Sequence, residues 1–109
     1  MIAKNHPSAR EIEKGFPYFS LEAAQHIANR LQHANLIGID SYSFDRKGSN
    51  SEVHRAFLDK DILLLETLVN LAELKEHAGN KPFKLVSVPE KYLNLDAAQT
   101  RAYAVVGGI

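Results

Sequence analysis

Four consecutive apolar residues, Ile62-Leu63-Leu64-Leu65, run without interruption into an acid, Glu66. A continuous apolar run of this length suits a strand covered on both faces, as in sheets flanked by helices. A second short run, Leu36-Ile37-Gly38-Ile39, ends the same way, at Asp40. A helical pattern leads directly into it. Leu21, Ala24, Ala28 and Leu31 recur at helical spacing, which predicts a helix from about Leu21 to His33. Ser20 stands where an N-cap belongs, and Glu22 lies in the first turn, where a carboxylate favours the positive helix end. A helix feeding a buried strand points to an α/β arrangement.

The remaining elements follow from local signals. The polar stretch from Ser41 to Ser51, with Gly48, reads as a loop with functional character. Ser49 and Glu52 have capping-box spacing, which predicts a short helix through about Leu58. Thr67 to Lys75 can form another helix, and Gly79-Asn80 and Pro82 mark a turn. Phe83 to Val88 and Arg101 to Val106 read as antiparallel strands joined through Pro89 to Thr100. The expectation is a mixed α+β sheet with about four strands and two to three helices. Residues 1–15 read as an irregular segment, with one possible helical turn from Arg10 to Lys14, and residues 16–109 as a single domain.

Composition narrows the function classes. Thirteen basic and thirteen acidic side chains balance to a net charge of zero. A phosphate backbone calls for a concentrated basic face, so a nucleic-acid partner is not expected. The chain has no cysteine, which excludes disulfides, thiolate catalysis and thiolate-rich zinc sites. No run approaches the ~20 apolar residues of a membrane span, and residues 1–14 lack a signal-peptide core. The expectation is a cytoplasmic protein without a membrane partner.

Several segments in fixed order resemble the cyclase family of metal-dependent hydrolases, the family of bacterial kynurenine formamidase. Phe16-Pro17-Tyr18-Phe19-Ser20-Leu21-Glu22-Ala23-Ala24 is similar to its proline-then-Ser-x-Glu-Ala-Ala helix start. Ile37-Gly38-Ile39-Asp40, followed by Ser41-Tyr42-Ser43-Phe44-Asp45, resembles its strand ending in Gly-Ile-Asp and the serine-containing loop beyond. His54-Arg55-Ala56-Phe57-Leu58 resembles its His-x-x-Leu-Leu helix, and Asp61 to Leu71 the strand and turn that follow. Asp96 to Val106 resembles the closing Arg-Ala-x-Ala-Val strand. The likeness covers roughly residues 15 to 107 and implies part of the swivelling β/β/α cyclase-like fold, its C-terminal half. The family's N-terminal His-x-Gly-Thr-His-x-Asp-x-Pro-x-His motif, which supplies most metal ligands and a catalytic histidine, has no counterpart among these residues; His6, in Asn5-His6-Pro7-Ser8, does not fit it.

The resemblance implies a divalent metal, zinc or manganese, with His54 and Glu66 at ligand positions. Imidazole and carboxylate suit either ion, but two donors are fewer than the three that a catalytic zinc takes from protein. Taken without the resemblance, a histidine on a short helix is ordinarily a surface or hydrogen-bonded residue, and Glu66 can simply face solvent where its strand ends. Asp40, Ser41 and Ser43 are the candidate substrate-binding group, because ligands of α/β proteins gather at the carboxyl ends of strands. The alternative for them is a turn hydrogen-bonded to its own backbone. A triad of Ser41 or Ser43, His54 and Asp40 or Asp45 can be written down, but no Gly-x-Ser-x-Gly elbow accompanies it. His26 and His33, two turns apart on the first predicted helix, read as solvated, and His6 and His77 as loop residues.

Two functions follow as expectations. One is a truncated or split relative of metal-dependent amide hydrolases, inactive alone and completed by a separately encoded N-terminal half. The other is a non-catalytic, self-associating module, a homo-oligomer closed by two-fold symmetry, since a shortened sheet leaves open strand edges and apolar surface. A small-ligand-binding protein using the Asp40 to Asp45 loop is a third reading with no specific residue pattern behind it.

Overall fold

A computed structural model describes residues 15–107. Within them lie three helices and four strands: α1 (Leu21–Arg30), β1 (Leu36–Gly38), α2 (Glu52–Leu58), β2 (Leu63–Leu65), α3 (Leu71–Ala78), β3 (Lys84–Pro89) and β4 (Thr100–Val105). The class is mixed α+β, with the strands in two separate two-stranded sheets. The segment 1–14, including the turn expected at Arg10 to Lys14, lies outside the described residues. The chain divides into two units, 15–69 and 70–107 among the described residues.

In the first unit β1 and β2 pair in parallel, with Leu36 opposite Leu63 and Gly38 opposite Leu65. Parallel neighbours need a crossover, and here it runs through the Ser41 to Ser51 loop and α2. The ladder extends at both ends, where Leu63 donates to the carbonyl of Asn35 at 2.8 Å and Ile39 to that of Leu65 at 2.9 Å. Gly38 matters locally. A Cβ there would stand 2.7 Å from Leu68 Cδ1, so the missing side chain leaves room for Leu68 to lie against the strand. Leu68 donates to the carbonyl of Ile39 and Thr67 to that of Ser41, which ties together the segments leaving the two strands.

The core sits between the two helices and this small sheet. Ala24 and Ala28 of α1, Val53 and Phe57 of α2, Phe44 of the loop and Ile62 form one buried cluster, flanked by Phe19, Ile27, Ile37, Ile39, Ala56 and Leu64. The alanines present a low-relief face that lets the helices approach closely, and Phe19, Phe44 and Phe57 fill the space around them. Phe19 stacks on Phe44 at 5.6 Å, and Phe57 meets Phe44 edge-on at 5.6 Å, offset geometries favoured by the ring quadrupoles.

Several boundaries differ from the sequence expectation, each for a local reason. Ser20 caps α1 as expected, accepting from the Ala23 amide at 3.1 Å. The helix nonetheless ends at Arg30 and not His33, because Leu31 leaves helical geometry (φ −88°, ψ 66°). The first strand stops at Gly38, so Asp40 follows the pairing rather than closing it. The capping box at Ser49 and Glu52 does not form. The N-cap position falls on Ser51, in the left-handed region without a side-chain cap bond, while Ser49 Oγ accepts from the Ser51 amide at 3.2 Å. The apolar run at Ile62 to Leu65 is covered unevenly: Ile62 and Leu65 are buried, whereas Leu63 is 60% exposed. The expected helix at Thr67 begins four residues later, at Leu71, since Thr67 (φ 58°) and Asn70 (φ 65°) hold the intervening backbone outside helical geometry.

The second unit contains α3 and an antiparallel pair, β3 and β4, in the register Lys84 opposite Val105 through Pro89 opposite Thr100. The antiparallel pairing agrees with the sequence reading, with each strand displaced by one residue or less from its expected start. His77 belongs to the last turn of α3 rather than to a loop, and lies 3.8 Å from Glu73, one helical turn earlier. Among the described apolar residues of this unit, only Ala78 is buried; Leu85, Val88, Tyr103 and Val105 of the strands are exposed.

Candidate functional site

The carboxyl ends of β1 and β2 point the same way, and the segments leaving them carry the residues of interest. Chains emerging from parallel strands converge at this edge, which is where α/β folds hold ligands. Glu66 leaves β2 directly. His54 lies in the first turn of α2, which the crossover loop brings back over the same edge.

The structure brings His54 and Glu66 together. His54 Nε2 stands 3.0 Å from Glu66 Oε1, with the two side chains 31% and 28% exposed. A ring nitrogen and a carboxylate oxygen at this distance need a positive species between them. It is either a proton on Nε2 or a cation bound by both. Two ligands at about 2.0–2.1 Å from one tetrahedral zinc stand roughly 3.3 Å apart, a few tenths of an ångström from the spacing found. Glu66 Oε1 also accepts from the Phe44 amide at 3.2 Å and faces Ser43 Oγ at 3.5 Å. The amide contact fixes the carboxylate to the loop, so its position does not depend on the histidine alone.

Asp45 organises the other side of the ring. It is 5% exposed, the buried charged residue of this region. Its Oδ1 accepts from the Val53 amide and its Oδ2 from the His54 amide, both at 2.9 Å. These are two of the N–H groups that the start of α2 leaves without intrahelical partners, so Asp45 provides the cap that Ser49 and Ser51 do not. Oδ2 also lies 2.5 Å from His54 Nδ1. Burial would raise the pKa of Asp45, but bonds from the His54 ring, the Val53 and His54 amides and the Ser49 hydroxyl outweigh it. The carboxyl is held below its ordinary value of 3.8.

The predicted substrate-binding residues are distributed along the same loop. Ser43 lies at the site, facing Glu66 and accepting from the Asp45 amide at 3.2 Å. Ser41 Oγ donates to the Pro17 carbonyl at 2.5 Å, which fastens the loop to the segment before α1. Asp40 is exposed between β1 and this loop. The serine triad is not assembled: His54 Nε2 is directed to Glu66 and Ser43 Oγ to Glu66 and the Asp45 amide. His26 and His33 are exposed, and His6 lies outside the described residues.

The sequence places Asp45 beside His54 only as one alternative in a serine triad that is not assembled; its role as the cap of α2 was not readable there. The available signal was an acid upstream of a helix whose own capping position carries a serine in an unsuitable conformation, and that conformation is not readable from residue types.

The donor set suits part of a divalent metal centre. His54 and Glu66 are hard-to-borderline donors of the kind zinc and manganese take, and Asp45 holds the second ring nitrogen as carboxylates commonly do behind a metal-bound histidine. Among the described residues no group of three or more His, Asp and Glu is arranged to hold a metal ion. Nor, among them, is any helix long and apolar enough to cross a membrane. Comparison with known proteins found no matching family model, no matching curated protein and no matching solved structure.

Proposed function

We propose that this chain contributes part of the centre of a metal-dependent hydrolase acting on amide or related acyl bonds, as its resemblance to the cyclase family implies. The observation that carries the reading is the 3.0 Å approach of His54 Nε2 to Glu66 Oε1, at the carboxyl edge of two parallel strands and backed by Asp45. His54 and Glu66 would hold the ion, zinc or manganese. When bound, such an ion supplies Lewis-acid polarisation of a substrate carbonyl and lowers the pKa of water. The chain's own residues do the positioning: the Phe44 amide orients Glu66, and Asp45 orients His54. Ser43, with the exposed Asp40 on the same loop, would face the substrate side, while Ser41, bonded to the Pro17 carbonyl, would hold the loop in place. The further donors come from outside these 109 residues, in a segment or polypeptide bearing the histidine-rich motif. Mixing the chain with such a polypeptide and zinc or manganese tests this. Hydrolysis of an N-formyl or simple amide substrate by the mixture, lost on His54→Ala, supports it; a folded mixture without activity under either metal counts against it.

A second reading has its own observation. The β3–β4 pair exposes Leu85, Val88, Tyr103 and Val105 on a sheet of only two strands. Isolated two-stranded sheets are marginal in water, and open edges with apolar side chains favour pairing with another strand. A self-associating module, dimeric or larger, is the function this feature favours.

A further inference from the structure

We propose that the free edge of β4 is a dimerisation edge, on which β4 of a second copy pairs antiparallel about a two-fold axis at Ala102 to make one four-stranded sheet. The proposal rests on the self-association reading above and adds to it the strand, the direction and the register of the pairing.

The ladder shows which backbone groups each strand turns outward. Just beyond it the Glu90 amide donates to the Gln99 carbonyl at 2.9 Å, so these two residues form a hydrogen-bonded pair. Hydrogen-bonded and non-hydrogen-bonded pairs alternate along an antiparallel ribbon. With Pro89 opposite Thr100 and Lys84 opposite Val105, the even-numbered residues of β3 and the odd-numbered residues of β4 therefore bond inward. Leu85, Ser87 and Pro89 turn their backbone groups to the free edge of β3, and Thr100, Ala102 and Ala104 turn theirs to the free edge of β4. The two edges are not equivalent. Proline has no N–H, so Pro89 removes a donor from the open side of β3 and blunts that edge. β4 keeps an N–H at each outward position, and among the described residues no further strand pairs with it.

The charges on the edge select its occupant and register. Two copies of this chain carry no net charge, so no long-range repulsion opposes their approach. Within β4 the charged residue is Arg101. A second β4 must match outward residues with outward residues, which places the two-fold axis on a residue and not between two. An axis at Arg101 would set like charges directly opposite, which is unfavourable. An axis at Tyr103 would set Arg101 opposite the Val105 of the second copy, with no gain for the cation. An axis at Ala102 sets Arg101 opposite Tyr103 of the second copy, twice over, as a non-hydrogen-bonded pair with the side chains close. Both residues are exposed, and a guanidinium beside a tyrosine ring is an attractive contact. On the other face of the seam, Ala102 meets its own counterpart and Thr100 meets Ala104, side chains small enough to leave the backbones free to approach. The outer strands of the resulting sheet are both β3, whose blunted edges stop the addition at two copies.

The test uses the full chain, with sedimentation equilibrium over a range of concentrations. Ala102→Pro and Ser87→Pro each remove one outward N–H and spare the β3–β4 bonds. Ala102→Pro should weaken dimerisation by about 10- to 100-fold, since both bonds across the axis are lost. Ser87→Pro should leave it unchanged. Because the chain has no cysteine, a single introduced thiol reads the register. Opposed residues of a hydrogen-bonded pair stand about 5.5 Å apart at Cα, within disulfide range, so mild oxidation should lock Ala102→Cys as a dimer. Ala104→Cys, with its two copies more than about 13 Å apart along the strands, should stay unlinked. Circular dichroism checks that the variants fold, and the cysteine pair decides the matter if a proline variant does not. Dimerisation weakened by Ser87→Pro and not by Ala102→Pro, or locked by Ala104→Cys and not by Ala102→Cys, overturns the inference while self-association stands. A wild-type chain that is monomeric at every concentration overturns both. Protection of the Ala102 amide from hydrogen exchange only on mixing with a polypeptide bearing the histidine-rich motif would mean that the edge takes a foreign strand, and would overturn self-pairing.

Discussion

Asp45 and His54 are joined twice: Oδ2 of the aspartate accepts the histidine's backbone N–H at 2.9 Å and lies 2.5 Å from its ring Nδ1. The first bond belongs to the fold and the second to the site, and they share one oxygen. Replacing Asp45 by alanine should remove the cap of α2 and leave nearby donors unsatisfied, at a cost of about 1–3 kcal/mol. His54→Ala should cost less, since the Val53 and residue-54 amides keep their acceptor. Urea unfolding of the two variants, followed by circular dichroism, checks the order.

The same carboxylate makes acid stability predictable. Folding lowers the pKa of Asp45 from its ordinary value of 3.8. A group depressed in this way binds its proton less readily folded than unfolded. Its contribution is complete above the unfolded-chain value and is lost as pH falls through the lower folded one. Stability should therefore fall below about pH 4, near the unfolded aspartate value, and Asp45→Asn should flatten that part of the profile. Denaturation midpoints measured from pH 6 downward test it; parallel profiles for wild type and variant would contradict it.

Core substitutions should rank by burial. Phe57 is fully buried among Phe19, Phe44 and the alanines of α1, so Phe57→Ala should destabilise by about 3–5 kcal/mol. Leu63, although it lies within β2, is 60% exposed. Leu63→Ala should cost under about 1 kcal/mol, in line with ordinary surface positions. Thermal unfolding of both variants compares them directly, and a large loss at Leu63 would mean that a further surface covers it.

Self-association through the β3–β4 pair is the expectation for the second unit. Val86 lies opposite Tyr103 and Val88 opposite Arg101, and charges placed on such a surface disfavour edge pairing. The wild-type chain should scatter light as a dimer or larger species at high concentration, and Val88→Lys combined with Tyr103→Lys should shift it toward monomer. A sharp monomer peak for the wild type at high concentration would contradict this.

Legibility in the sequence followed the range of the interactions. Ser20 and the Ala24–Ala28 stripe act within one or two turns, and both the start and the buried face of α1 could be read from them. The antiparallel partnership of β3 and β4 was likewise visible in two short strand-like runs joined through the Pro89 to Thr100 connection. The cap of α2 was not, because Asp45 reaches it across a loop while the nearer Ser49 has the right spacing and the wrong geometry. The start of α3 was displaced by left-handed backbone at Thr67 and Asn70, which residue types did not announce. At the site, His54 and Glu66 were paired only through the family resemblance. Their proximity depends on the parallel register of β1 and β2, a non-local property.

The central claim is that His54 and Glu66 hold one ion together, and a double-mutant cycle of zinc affinity tests it most directly. Calorimetric titration of the wild type, His54→Ala, Glu66→Ala and the double variant should give stoichiometric binding to the wild type. Each single variant should lose nearly as much affinity as the double, the strong non-additivity expected of two groups on one ion. Binding that is indifferent to both residues, or losses that simply add, would contradict a shared centre.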